Sequence, residues 1–294
     1  MNTRRAFTLV EILAVVAIIG ILVTLVTVAV KGAMDAAKRA RISMQMSQIA
    51  VGLDRYKAEI GEYPPDMLDD EALLRHVKKR WPRFNPPNAD FIRGAIATAY
   101  ANAYGREDVI LTPVGSLTLW LGGFPNRDGK LSGFYADPEN PFTPIETFDQ
   151  KTFLDLEFGE SKGVQLFPLS PAATVCVPVI GSEVRSGFVP IVYFRGKADG
   201  GSDAYVANSR VKYFDFSTLG IGICVPYIEE GSDRDVRWKN PATYQLIHPG
   251  LDGKFGETDP RTRRVINSGD GIDLQDLDNL TNFSDYKELK SILP

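Results

Sequence analysis

Arg4-Arg5-Ala6-Phe7-Thr8-Leu9-Val10-Glu11 opens the chain and decides how the rest is read. Two arginines abut an apolar run from Phe7 to Val30, 24 residues broken by a single charge. At about 1.5 Å per residue a helix of this length spans roughly 36 Å, enough to cross a hydrocarbon core of about 30 Å. The arginines predict an N-terminus held on the cytoplasmic side. A cleaved secretory signal also starts with basic residues, but its apolar core is only about 7 to 15 residues long. This run is longer, and no clean Ala-x-Ala site follows Val30. The residues predict a retained membrane-spanning helix.

Glu11 lies five residues into that run. A carboxylate costs a few kcal/mol at the bilayer centre, less towards the edge, and by default marks function. No lysine or arginine lies inside the run. Arg4 and Arg5 precede Glu11 by seven and six positions, a spacing at which helix side chains do not meet. The expected partner is on another chain. A plain signal anchor gives Glu11 no role.

This segment resembles the class III signal of type IV prepilins and pseudopilins. The resemblance implies removal of residues 1–6 by prepilin peptidase, with the cut between Ala6 and Phe7 and N-methylation of the new Phe7 amine. It further implies that Glu11 pairs with the amine of a neighbouring subunit during assembly. Two positions depart from the family pattern. Ala6 stands where glycine is usual, and Val28 stands about where many pilins carry a helix-kinking proline.

Beyond Val30 the helix is predicted to continue. Ile42, Met46, Ile49, Leu53, Tyr56 and Ile60 recur at steps of four and three, which is a one-sided helical stripe. Charged residues such as Lys38, Arg41, Arg55 and Lys57 occupy the other faces. Gly61 suits the position after a helix end, and Pro64-Pro65 stops it. The Glu62-Tyr63-Pro64 that follows also resembles pseudopilins. Residues 62–163 read as an insertion, with helices over Glu71–Trp81 and, capped by Asn88, over Ala89–Tyr104. A short apolar element at Leu117–Leu121 and a long loop over residues 122–146 follow. Phe124, Phe134, Tyr135 and Phe142 need burial and predict that this loop is ordered. From Val164 the period shifts towards two. Candidate strands are Val164–Leu169, Thr174–Ile180, Phe188–Arg195, Asp203–Ala207, Val211–Phe216 and Ile221–Ile228. Pro178, Pro190 and Pro226 place such strands at edges or ends.

The fold class expected is α+β and pilin-like: a long N-terminal helix, membrane-spanning in its first half, packed on an antiparallel sheet with a helical and loop insertion. The divisions are a cleaved leader (1–6), a transmembrane helix (7–30), its amphipathic continuation (31–61), the insertion (62–163), and the sheet with a C-terminal acidic loop (164–294).

Tyr244 to Gly256 resembles the segment before the calcium loop of major pseudopilins, where a tyrosine-bearing strand enters a Gly-x-Asp-Gly-Lys turn. The resemblance implies one calcium ion, with Asp252 and some of Asp259, Asp270 and Asp273 as ligands. Calcium takes about 6 to 8 oxygens, which acid-rich loops supply. The EF-hand spacing is not met. Arg261, Arg263 and Arg264 interrupt the tract, so arginines that neutralise the same carboxylates are the alternative. Cys176 and Cys224 sit in apolar strands, each followed by Val-Pro. In an oxidising compartment they are candidates for a disulfide worth on the order of 4 kcal/mol; two buried thiols are the equal alternative.

The net charge of −4 gives no basic field for nucleic acid. The two cysteines and two histidines, far apart in sequence, poorly supply zinc or nucleophile chemistry. The reading is a structural subunit and not an enzyme. The resemblance implies a pseudopilin of a type II secretion system, in the inner membrane as a single-pass protein with its C-terminal domain in the periplasm. Its partners would be other pilin-like subunits, prepilin peptidase and the inner-membrane secretion assembly platform. Alternatives are a minor pilin of a type IV pilus and a signal-anchored extracytoplasmic binding domain.

Overall fold

The computed structural model describes residues 9–104, 115–124, 126, 131–153, 191–217, 220–232, 235–256, 259 and 264–294. The chain divides into two compact units, residues 1–41 and 42–294. A single helix, α1 (Leu9–Ile60), runs through the boundary. The expected continuation past Val30 is therefore present. Gly61, at φ 84°, ends it and donates its N–H to Lys57 O at 2.7 Å. Glycine is required there because a side chain is strained at that φ.

In the second unit α1 docks through the stripe read from the sequence. Met46, Ile49, Leu53 and Tyr56 are fully buried, and Ile42 and Ile60 pack at the margins. Three further helices surround the insertion's core: α2 (Asp70–Arg80), α3 (Ala89–Tyr104) and α4 (Ser116–Gly122). Asp69 caps α2 by accepting from Ala72 N at 3.0 Å, and Asn88 caps α3 by accepting from Phe91 N at 2.8 Å. Trp81 meets Phe134 and Phe142 edge-on at 4.9 and 5.3 Å, and Phe124 stacks on Tyr135 at 5.0 Å. The loop aromatics are thus buried, as their need for a core required.

The strands are shorter than their pattern suggested. They are β1 (Val192–Arg195), β2 (Val206–Ala207), β3 (Arg210–Val211), β4 (Phe214–Phe216), β5 (Gly222–Cys224), β6 (Ile228–Ser232), β7 (Asp235–Trp238), β8 (Tyr244–His248) and β9 (Leu280–Thr281). Among the described residues the largest sheet has three strands in the order β1-β8-β9, all antiparallel. β2–β3, β4–β5 and β6–β7 form separate antiparallel pairs. Val164–Leu169, Thr174–Ile180 and the start of Phe188–Arg195 lie outside the described residues.

Two single strands were expected where the chain breaks in two. Ile221–Ile228 is interrupted between β5 and β6. Pro226 has no N–H to give a ladder, and Tyr227 is held instead by a side chain. Gln245 of β8 accepts from Tyr227 N at 2.7 Å and donates to Tyr227 O at 2.9 Å. Val211–Phe216 is interrupted where Lys212 turns inward to Asp66. The pair β6–β7 was not anticipated. Its charged residues hide the strand period, yet cross-strand contact of Arg237 with Glu230 uses those same charges.

Candidate functional site

Ala6 and Phe7 lie outside the described residues. Glu11 stands in the first turn of α1, where the helix dipole favours an anion. The large apolar side chains from Leu9 to Val30 are all at least half exposed, from 81% at Leu9 to 50% at Val30. So broad an apolar surface is not a stable face towards water; it calls for lipid or protein around it. The two threonines of this stretch satisfy their own hydroxyls. Thr24 donates to Ile21 O and Thr27 to Val23 O, both at 2.7 Å. Internal bonding of this kind is what an apolar surrounding requires.

The second unit holds a buried polar network. Tyr56 of α1 and His76 of α2 meet at 2.7 Å (Oη to Nε2), and His76 Nδ1 lies 2.8 Å from Glu62 Oε1. Arg80 donates to Tyr56 Oη at 2.9 Å, and Arg195 of β1 donates to Glu62 Oε2 at 2.7 Å. Burial pushes the His76 imidazole down to about 4, against the pull of Glu62. Burial would raise the Glu62 carboxyl, but the His76 hydrogen bond and Arg195 hold it down at about 2. Burial also pushes Tyr56 up to about 12 despite Arg80. The order tyrosine–histidine–glutamate has the geometry of a proton relay. Tyr56 and His76, however, are both wholly buried. The network works as a clamp joining the end of α1 to α2 and β1.

Next to it lies a second buried pair. Asp66 Oδ2 accepts from Lys212 Nζ at 2.8 Å and Arg195 N at 2.9 Å, and its Oδ1 accepts from Leu68 N at 3.1 Å. Neither group was singled out in the sequence. The histidines read there as isolated, but the fold brings His76 to Glu62, 14 positions upstream. The available signal was His76 among Ala72, Leu73 and Val77 on the buried face of α2. His248, at the end of β8, is buried as expected of a structural residue, with burial pushing it to about 4.

The C-terminal loop distributes its carboxylates locally. Gly250 and Gly253 adopt φ of 67° and 71°, so the turn has the backbone expected of glycine there. Asp278 Oδ2 accepts from Leu251 N at 2.8 Å and Asp252 N at 3.2 Å. Asp252 Oδ1 accepts from Lys254 N at 2.8 Å, and Asp270 Oδ2 accepts from the Ser268 hydroxyl at 2.7 Å. Asp259 is exposed. Asp273 caps a short 3₁₀ turn at Leu274–Asp276. Among the described residues no group of three or more His, Cys, Asp or Glu side chains is placed to hold a metal ion. The aspartates named from the sequence therefore do not form such a group there. Cys224 is fully buried, and burial pushes its thiol well above its ordinary value. Cys176 lies outside the described residues.

The family model of the prokaryotic N-terminal methylation motif matches residues 1–27. No curated protein and no solved structure matches the chain. The motif match supports a type IV pilin-like prepilin signal. Among the described residues α1 is the one helix long and apolar enough to span a bilayer, and with the motif it supports membrane anchoring. The motif also implies processing by prepilin peptidase and assembly with other pilin subunits.

Proposed function

We propose that this chain is a pseudopilin of a type II secretion system, a subunit that leaves the inner membrane sideways into a growing filament. The carrying observation is the methylation motif at residues 1–27 joined to an apolar helix with every large side chain from Leu9 to Val30 outward. In the filament, protein replaces lipid around those side chains. The domain beyond residue 41 would stand in the periplasm, the side opposite Arg4 and Arg5. The secretion reading over the pilus reading is supported by the Tyr244–Gly256 tract, whose strand and glycine turn resemble those of major pseudopilins. The filament would serve export of folded proteins.

Mass spectrometry of the membrane-extracted protein should find a chain starting at Phe7 and carrying one N-terminal methyl group. An intact Met1, or a start beyond Val30, would overturn the filament-subunit reading. Deleting the gene should stop export of folded proteins while surface pili persist. Lost pili with normal export would give the minor-pilin reading instead.

A further inference from the structure

Among the described residues Arg264 is the largest fully buried charged side chain, with no exposed surface at all, and its partner Asp276 is equally buried. Its Nε lies 3.0 Å from Asp276 Oδ2. Its Nη2 donates to Ile223 O at 2.8 Å and to Gly256 O at 3.3 Å. Asp276 is gripped from the other side too. Its Oδ1 accepts from Asn279 Nδ2 at 3.0 Å and Gly256 N at 3.2 Å, and its Oδ2 accepts from Asp273 N at 3.2 Å. A second carboxylate faces the same point. A Cβ placed on Gly256 would lie 2.6 Å from Asp273 Oδ2 and 2.7 Å from Asp276 Oδ2. Glycine at 256 lets both carboxylates close on the backbone. The Asp276 carboxylate and two carbonyl oxygens therefore gather about one cationic side chain, with the Asp273 carboxylate beside Asp276 at Gly256, joining β5, the turn after Gly253 and the 3₁₀ turn at Leu274–Asp276.

That is the oxygen set a hard cation would recruit. We propose that Arg264 is the resident cation of this loop and orders it without calcium. The guanidinium sets its charge against the Asp276 carboxylate and directs Nη2 at two backbone carbonyls, doing by charge and direction what a metal does by coordination. Asp252 and Asp278 serve the Gly250–Gly253 turn separately, through backbone N–H groups. The inference holds whether or not the chain builds filaments.

The test uses the full-length protein in detergent, with thermal unfolding followed by tryptophan fluorescence. Neither millimolar calcium nor a chelator should move the wild-type transition, since a ligand stabilises only what it binds. Arg264→Gln strands Asp276 in the interior and should lower the midpoint by roughly 5 to 10 °C. Adding Asp276→Asn should restore part of that loss, because the stranded charge is gone. A wild-type midpoint raised by calcium, or an Arg264→Gln variant as stable as wild type, overturns the proposal. If Arg264→Gln does not fold, the double variant must; a double variant no better than the single one overturns it equally.

Discussion

Glu11→Ala is expected to insert into the membrane and fold, and to form no filaments. The carboxylate stands in the first turn of a helix with an apolar outward surface. Removing it should ease insertion by up to about 3 kcal/mol, less if the turn sits near the bilayer edge. Insertion alone would then favour its absence, so a benefit must arise elsewhere. The proposed filament would supply one: cleavage after Ala6 would leave a new amine at Phe7 on an adjacent subunit. A carboxylate–amine pair in surroundings of low dielectric is strong and sets the axial position of one helix against the next. Membrane fractionation reads insertion, and shearing followed by electron microscopy reads filaments. Glu11→Gln keeps the size and removes the charge, and it should fail in the same way. Normal filaments from either variant would remove charge pairing as the assembly step.

The helical parts of the fold were legible because each is written in neighbouring residues. The stripe from Ile42 to Ile60, Gly61 after it, and the Asn88 cap are local signals, and all appear where they were read. The strands were less legible because their breaks are decided by distant partners. Lys212 leaves its strand for Asp66, 146 positions away, and Tyr227 is held by Gln245 rather than by a strand. Neither residue advertises its partner.

The polar site residues show the same contrast. The turn at Gly250–Gly253 was readable, since glycine spacing fixes backbone shape. The acids around it were not assignable to roles. The sequence weighed Asp252, Asp259, Asp270 and Asp273 together, whereas Asp276 and Asp278 make the contacts with Arg264 and with the turn. A count of aspartates cannot distinguish one that caps a turn from one that is buried against an arginine. Arg264, noted as one of three arginines interrupting the tract, is fully buried; Arg261 and Arg263 lie outside the described residues.

Stability should fall steeply as pH drops from 6.5 to 4, through the chain's two histidines. His76 and His248 are both buried and both held at about 4, chiefly by burial. In the unfolded chain a histidine titrates near 6.5. Between these values the unfolded state carries a proton that the folded state lacks, so stability rises with pH across the window. The contribution is complete above about pH 6.5 and is lost as pH falls through 4. Each histidine then accounts for roughly 3 kcal/mol, and the pair for roughly 6 kcal/mol. Below that window Glu62 adds a second loss. Its folded value of about 2 lies beneath its unfolded value, so its stabilisation fades between pH 4.5 and 2. Denaturant unfolding of the full chain in detergent, repeated from pH 7 to 4, measures the slope. It should correspond to uptake of up to about two protons on unfolding, less what Asp252 and Asp276, both pushed up by burial, release. His248→Leu should keep the fold, because among the described residues the Nδ1 of His248 has no hydrogen-bond partner to lose. That variant should halve the slope and leave the His76 contribution. A stability that stays flat from pH 6.5 to 5 would mean that the two rings are charged or solvated, and would dissolve the clamp built on His76, Tyr56 and Glu62.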